Sequence, residues 1–193
     1  MPNLVEEFFE NPTAPLGTVK CFPWHYKKNS LLLGDSAHAI VPFYGQGMNA
    51  SFEDVVEFDR FLDLHDGDWE ATLKAFGTHR KIDTDAIADL AIDNFHEMKN
   101  HVANPLFQEK RKIEMALEAQ FPDIYYSKYS LVTFKETIGY NEAMTIGRAQ
   151  DTAILNLLSA QKITPNEDLN TVLKKVQQET STILKVNAGS KIV

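Results

Sequence analysis

One cysteine, Cys21, occurs among the 193 residues, so an internal disulfide is excluded and a reducing compartment is compatible with the chain. No stretch approaches the roughly 18 to 20 apolar residues that a spanning helix needs, and the start lacks the basic, apolar and small-residue succession of a secretion signal. A cytoplasmic protein without a membrane span is the expectation. Positive charge is scarce: 19 Lys and Arg stand against 27 Asp and Glu, a net charge of -8 and a pI near 5.2. That balance argues against nucleic acid, whose phosphates would be repelled. The nine glycines contain no Gly-x-Gly-x-x-Gly, the turn that holds a dinucleotide pyrophosphate at a helix start. Nor is a metal site expected, because His96 and His101 lie five residues apart and so about 140° around a helix. Lys110-Arg111-Lys112 is followed by acids and reads as a solvated helix face. There is no internal repeat.

What is present is 44% hydrophobic residues, enough for a sizeable core, and one unusual run from Leu31 to Ala50. Leu31-Leu32-Leu33 followed by Gly34-Asp35 reads as a buried central strand that stops abruptly. Asp35 would then sit at the strand's carboxyl end, where α/β sheets bind ligands. Ser36 to Tyr44 is expected to be a loop with one helical turn. Gly45-Gln46-Gly47 allows backbone to approach a ligand without a Cβ in the way. From Met48 the pattern turns helical to about Leu64, with Met48, Phe52, Val55, Val56 and Leu62 as the apolar face and Glu53, Asp54, Glu57 and Arg60 mostly between them. The unpaired N–H groups and dipole at that helix start favour an anionic or electron-rich group. Turn and cap chemistry alone would also produce a Gly-Asp and a Gly-x-Gly at these places.

The whole string is more specific. Gly34-Asp35-Ser36-Ala37-His38, Pro42, Gly45-Gln46-Gly47-Met48-Asn49-Ala50 and Glu53-Asp54 resemble the second flavin motif of the flavoprotein aromatic hydroxylases. The resemblance implies FAD as cofactor and NADPH as co-substrate. It makes Asp35 the ribityl ligand and lays Gly45, Gly47, Met48 and Asn49 along the flavin ring. Pro42 to Asn49 is most similar to the branch of that family that hydroxylates L-kynurenine. Asp93-Asn94-Phe95-His96-Glu97-Met98 resembles a family helix that supplies a substrate-contacting Asn, which carries over to Asn94. Tyr129 to Phe134, followed by Gly139-Tyr140-Asn141-Glu142-Ala143, resembles a strand and helix start supplying a substrate Tyr, a role that falls on Tyr140. Phe43 and Tyr44 are expected to line the substrate side of the ring, since aromatic contact suits a planar aniline ketone. His38 receives no catalytic role. The resemblance extends from about Leu4 to Gln150.

Elsewhere the pattern is mostly helical. Trp69 to Ile82 and Asp83 to Val102 read as two helices, Leu106 to Gln120 as a third opened by Pro105, and Thr137 to Ala160 as a fourth interrupted by Gly139 and Gly147. Ser130 to Phe134 is rich in strand formers and is expected to join a sheet. After Thr164-Pro165, Asn166 is the expected cap of a last helix to about Lys185, which docks on the body through Leu169, Val172, Leu173, Val176 and Ile183.

The fold class implied is the α/β FAD-binding fold of the aromatic hydroxylases, present as its mostly helical C-terminal portion with a few strands. Residues 1–67 would complete the FAD-binding domain, 68–150 form a helical segment with one strand at the substrate pocket, and 151–193 form a helical extension. With the dinucleotide fingerprint missing, the chain is expected to hold half of an FAD site and to bind the cofactor poorly alone, because ordering costs remain while contacts are halved. Its own N-terminal half is the expected partner. Two other readings stay open: an aromatic hydroxylase with another substrate, and a non-enzymatic helical fragment that binds a partner through exposed apolar surface.

Overall fold

The computed structural model describes residues 2–101 and 103–189, with the side chains of Asn100 and His101 left aside. The expected helix end at Val102 and the last residues of the polar tail lie outside the described residues. Helices dominate: α1 (Leu4–Glu10), α2 (Asp35–His38), α3 (Gly47–Leu64), α4 (Trp69–His96), α5 (Pro105–Gln120), α6 (Lys128–Phe134), α7 (Tyr140–Ser159) and α8 (Leu169–Gly189). Two-residue strands β1 (His25–Tyr26) and β2 (Ser30–Leu31) pair antiparallel, with His25 opposite Leu31.

Local chemistry explains most boundaries. A 3-10 turn at Pro42–Tyr44 ends in Gly45 at φ 70°, a left-handed conformation that favours glycine and swings the chain into α3. Asp68 caps α4 by accepting from the N–H groups of Glu70 and Ala71, and Asn104 caps α5 ahead of Pro105. α4 ends in a π-helical turn, Glu97–His101.

Three packed clusters hold the helices together. Ala86, Ile87, Leu90 and Ala91 of α4 meet Tyr44, Ala50, Leu131, Val132, Tyr140 and Ala143 in the first. Ile113 and Leu117 of α5 meet Ile154, Leu157 and Leu158 of α7 and Val172, Leu173 and Val176 of α8 in the second. Trp24 and Ala37 pack on Phe61 and Phe76 in the third. Each fully buried Leu, Ile or Phe contributes about 1.5–3 kcal/mol, so α8 is docked by its expected apolar side.

Four expectations are corrected. Leu31 to Leu33 is no central strand: only Leu31 pairs, Leu32 is exposed, and Asp35 opens the one-turn α2 at the surface. A fully buried strand needs neighbours on both edges, and β1 is its single partner among the described residues. Ser130 to Phe134 lies in α6, because the Ser127 side chain caps that helix and Leu131 and Val132 reach the first cluster from it. The two helices expected at Trp69 to Ile82 and Asp83 to Val102 are one 28-residue helix. Asp83, taken as a helix opener, instead accepts from the N–H of Asn141 at 2.8 Å and caps α7 from outside. For α8 the cap is Asp168, which accepts from the Thr171 N–H at 2.9 Å, and not Asn166.

α3 covers the residues that the pattern predicts but buries a different face. Met48, Phe52, Val55 and Val56 are all exposed, while Ala50, Asp54 and Phe61 are the buried residues of α3. α7 runs unbroken through residue 150.

Candidate functional site

The run from Gly34 to Ala50 is anchored from behind by one carboxylate. Asp54 is fully buried on α3. Its Oδ2 accepts from the Gly34 N–H at 3.0 Å and lies 2.5 Å from His38 Nε2; its Oδ1 accepts from Arg80 Nε at 2.9 Å. Burial pushes its pKa up, but the hydrogen bonds from His38, Gly34 and Arg80 outweigh that and leave it below the ordinary carboxyl value. A carboxylate only accepts, so His38 Nε2 carries the proton. Arg80 extends the chain to Glu53 at 2.9 Å and to the Ala50 carbonyl at 3.1 Å. Glu53 accepts in turn from the Tyr140 hydroxyl at 2.7 Å. Burial, and then the Glu53 carboxylate, raise the Tyr140 pKa.

This scaffold leaves the front of the loop open. Gly34 lies against Ser51 in α3, where an added Cβ would come within 3.0 Å of Ser51 Oγ, so Asp35 follows directly beside the helix start. Asp35, Gly45, Met48 and Asn49 are exposed, and Gln46 gives α3 no side-chain cap. A Cβ at Gly45 would meet nothing within 4 Å. The first-turn N–H groups of α3, the exposed carboxylate of Asp35 and the open side of Gly45 have the chemistry that a flavin with its ribityl chain would need.

Two clefts flank the loop. The wider, about 730 Å³, contains Gln46, Asn49, Glu53, Arg80 and Tyr140. The narrower, about 250 Å³, contains Tyr44, Asn94, Glu97, Met98 and Tyr129 above a floor of Lys110, Glu114, Lys128 and Asp151. Asn94 donates from Nδ2 to the Phe43 carbonyl at 2.5 Å, and Phe43 packs on Phe95 with centroids 4.7 Å apart. The Tyr44 and Tyr129 rings stack at 5.7 Å. The structure therefore joins Asn94, Phe43 and Tyr44, and leaves Tyr140 with Asn49 on the other side of the loop.

The charged floor is nearly closed to water. Lys110 Nζ lies 3.0 Å from Glu114 and 2.7 Å from Asp151; Lys128 Nζ lies 2.7 Å from Asp151 and is bonded to Glu97. Asp151 is desolvated, yet two ammonium groups hold its pKa below the usual value. Glu114 meets Lys110 at 3.0 Å and the half-exposed Arg111 only at 3.7 Å; burial dominates and pushes it up to about 7.

Sequence reasoning quoted Glu53, Asp54 and Tyr129 without giving them a role and passed over Arg80, and its solvated face at Lys110 is corrected: Lys110 is buried between Glu114 and Asp151 in the charged floor. For Asp54 a signal existed: it shares a helical face with Ala50 and Phe61 at four- and seven-residue steps. Lys128 and Asp151 carry none.

No family model matches the chain. Curated relatives do. A protein of Legionella pneumophila (strain Lens) is 48% identical over 150 residues, which cover 78% of this chain and 33% of the relative. One of Flavobacterium psychrophilum is 42% identical over 178 residues (92% and 40%), and one of Dictyostelium discoideum is 46% identical over 182 residues (88% and 38%). All three are named kynurenine 3-monooxygenase. The chain belongs with the kynurenine 3-monooxygenases. It spans between a third and two fifths of the length of these relatives. Among the described residues no helix is long and apolar enough to cross a membrane, and no three His, Cys, Asp or Glu side chains are grouped to hold a metal ion.

Proposed function

We propose that this chain forms part of an FAD- and NADPH-dependent monooxygenase that hydroxylates L-kynurenine to 3-hydroxykynurenine, and that it supplies the ribityl and ring side of the flavin site together with a wall of the substrate pocket. The observation that carries this reading is the coincidence of high identity to kynurenine 3-monooxygenases with an open, glycine-lined helix start beside a cleft of aromatic and amide groups.

FAD, reduced by NADPH, supplies oxygen activation when bound. The work of the chain's own residues is holding and shielding. Asp35 takes a ribityl hydroxyl, and Gly45, Gly47, Met48 and Asn49 offer backbone to the ring. Phe43, Tyr44 and Tyr129 present aromatic surface to the aniline ring of the substrate, and Asn94, steadied by the Phe43 carbonyl, has its amide oxygen left to accept from the aniline nitrogen. Excluding water keeps the activated oxygen for the ring. The exposed Met48, Phe52, Val55 and Val56 stripe supports a second element of the reading, docking of the polypeptide that makes up the rest of the relatives' length.

The chain is tested by mixing it with a polypeptide carrying the unmatched part of the Legionella pneumophila relative. Flavin absorbance is expected in the mixture, little or none with the chain alone, and hydroxykynurenine on adding NADPH and L-kynurenine. Asp35→Ala lowers flavin retention. Tyr140→Phe raises KM if the expected substrate contact is made, whereas an unchanged KM confines Tyr140 to the Glu53–Arg80 chain. NADPH oxidation without hydroxykynurenine would point to another aromatic substrate, and a mixture without flavin would remove the enzymatic reading.

A further inference from the structure

Lys128 has no role in the chemistry above, yet the narrower cleft is built around it. Its side chain is almost wholly buried, and its ammonium lies between Asp151 on α7, at 2.7 Å, and Glu97, three residues after Asn94. Burial alone would favour the neutral amine; the carboxylates of Asp151 and Glu97 outweigh it and raise the pKa. The stem fits only because residue 147 is glycine, where a Cβ would stand 2.6 Å from Lys128 Cγ and 3.0 Å from its Cα. Tyr129 follows in the chain and stacks on Tyr44, next to the residue whose carbonyl holds Asn94. One ammonium thus ties the turn after Asn94, the start of α6 and α7 into a single frame.

Stability alone is a weak reason for such a group. Buried ion pairs can often be replaced by apolar residues of the same volume at no loss, whereas fixing one geometry among several is a role that buried polar groups take in some proteins. We propose that Lys128 is a positioning residue of the cleft, setting Asn94 against Tyr129 so that a planar aromatic amine fits between them. This rests on the reading of the narrower cleft as the substrate site.

The test uses the chain mixed with the polypeptide carrying the unmatched part of the Legionella pneumophila relative, as wild type and with Lys128→Met, Lys128→Arg and Gly147→Ala, followed by backbone hydrogen exchange and by titration with L-kynurenine observed at the Asn94 side-chain amide. Lys128→Met should speed exchange on the order of tenfold around residues 94–97 and 128–131 while leaving α8 unchanged. It should also weaken L-kynurenine at least fivefold, and Lys128→Arg should restore both. If Lys128→Met does not fold, Gly147→Ala, which pushes the stem aside, should give the same local pattern. Uniform exchange along the chain, unchanged exchange, or equal affinity of wild type and Lys128→Met would overturn the proposal. Local exchange in a wild type that shows no response to L-kynurenine would instead remove the substrate reading and leave Lys128 as the organiser of an unassigned cleft.

Discussion

His38 and Asp54, sixteen residues apart in the chain, meet in a 2.5 Å hydrogen bond shut away from solvent. The same carboxylate holds the Gly34 N–H and Arg80, so the shape of the flavin-motif loop is determined from its buried side, by a helix that the loop itself precedes. The loop's outward groups stay free for a ligand because its inward groups are committed.

Removing that carboxylate should be costly. Asp54→Ala would leave Arg80 Nε and the His38 imidazole buried without the acceptor they share, a loss of about 3–5 kcal/mol against a total stability of about 5–15 kcal/mol. Urea denaturation of the two chains would measure it, and a loss below about 1 kcal/mol, the size of an exposed ion pair, would contradict the geometry. The sign with pH is also set. The folded pKa of Asp54 lies below its ordinary value, so its contribution is present above the unfolded carboxyl pKa and fades as pH falls through the folded one. Acid destabilisation in this range should be reduced in Asp54→Asn.

Why Asp35 receives a role from the sequence while Asp54, quoted in the same string, does not is a matter of distance along the chain. Asp35, Gly45 and Gly47 belong to a local string whose order alone carries a resemblance. Asp54 finds Arg80 26 residues away, and Glu53 finds Tyr140 87 residues away. Periodicity located α3, α5, α7 and α8, since each keeps one helical face dry. It could not tell which face of α3 would be dry, and the aliphatic one lost to Ala50, Asp54 and Phe61. Leu31 to Leu33 and Ser130 to Phe134 failed for a related reason: strand propensity expresses fit to a sheet, and no sheet beyond two residue pairs is found among the described residues to receive them.

Glu114 should make the protein less stable in alkali. Burial raises its carboxyl to about 7 in the fold, so between its ordinary value and about 7 the folded chain holds a proton that the unfolded chain has released. That contribution is complete below the unfolded pKa and is lost as pH rises through the folded one. Melting temperatures taken from pH 5 to 8 should therefore decline on this account, and Glu114→Gln, which keeps the neutral shape, should flatten the decline. A slope identical in both proteins would assign the effect elsewhere.

The start of α8 offers a direct choice between two neighbouring caps. Asp168 accepts from both the N–H and the hydroxyl of Thr171, and these bonds lower its pKa. Asp168→Ala should lower the melting temperature, whereas Asn166→Ala should leave it where it was. The reverse order would restore Asn166 as the cap.

Gly139 and Asp83 make the sharpest pair to test, because each is needed for the other's contribution. Gly139 has no side chain to cap α7, and Asp83 reaches from α4 to the Asn141 N–H in its place. A Cβ at residue 139 would sit 2.8 Å from both Asp83 oxygens, so Gly139→Ala must displace the carboxylate that caps the helix. Loss of a cap costs about 0.5–2 kcal/mol, and Asp83→Ala should cost that much alone. Once Asp83 is gone the added methyl has no oxygen to displace, and its helix-side preference for a smaller unfolded ensemble works in its favour. The double variant should therefore be no less stable than Asp83→Ala, with a coupling of at least about 0.5 kcal/mol between the two sites. Strict additivity in chemical denaturation would mean that the remote cap does not support α7.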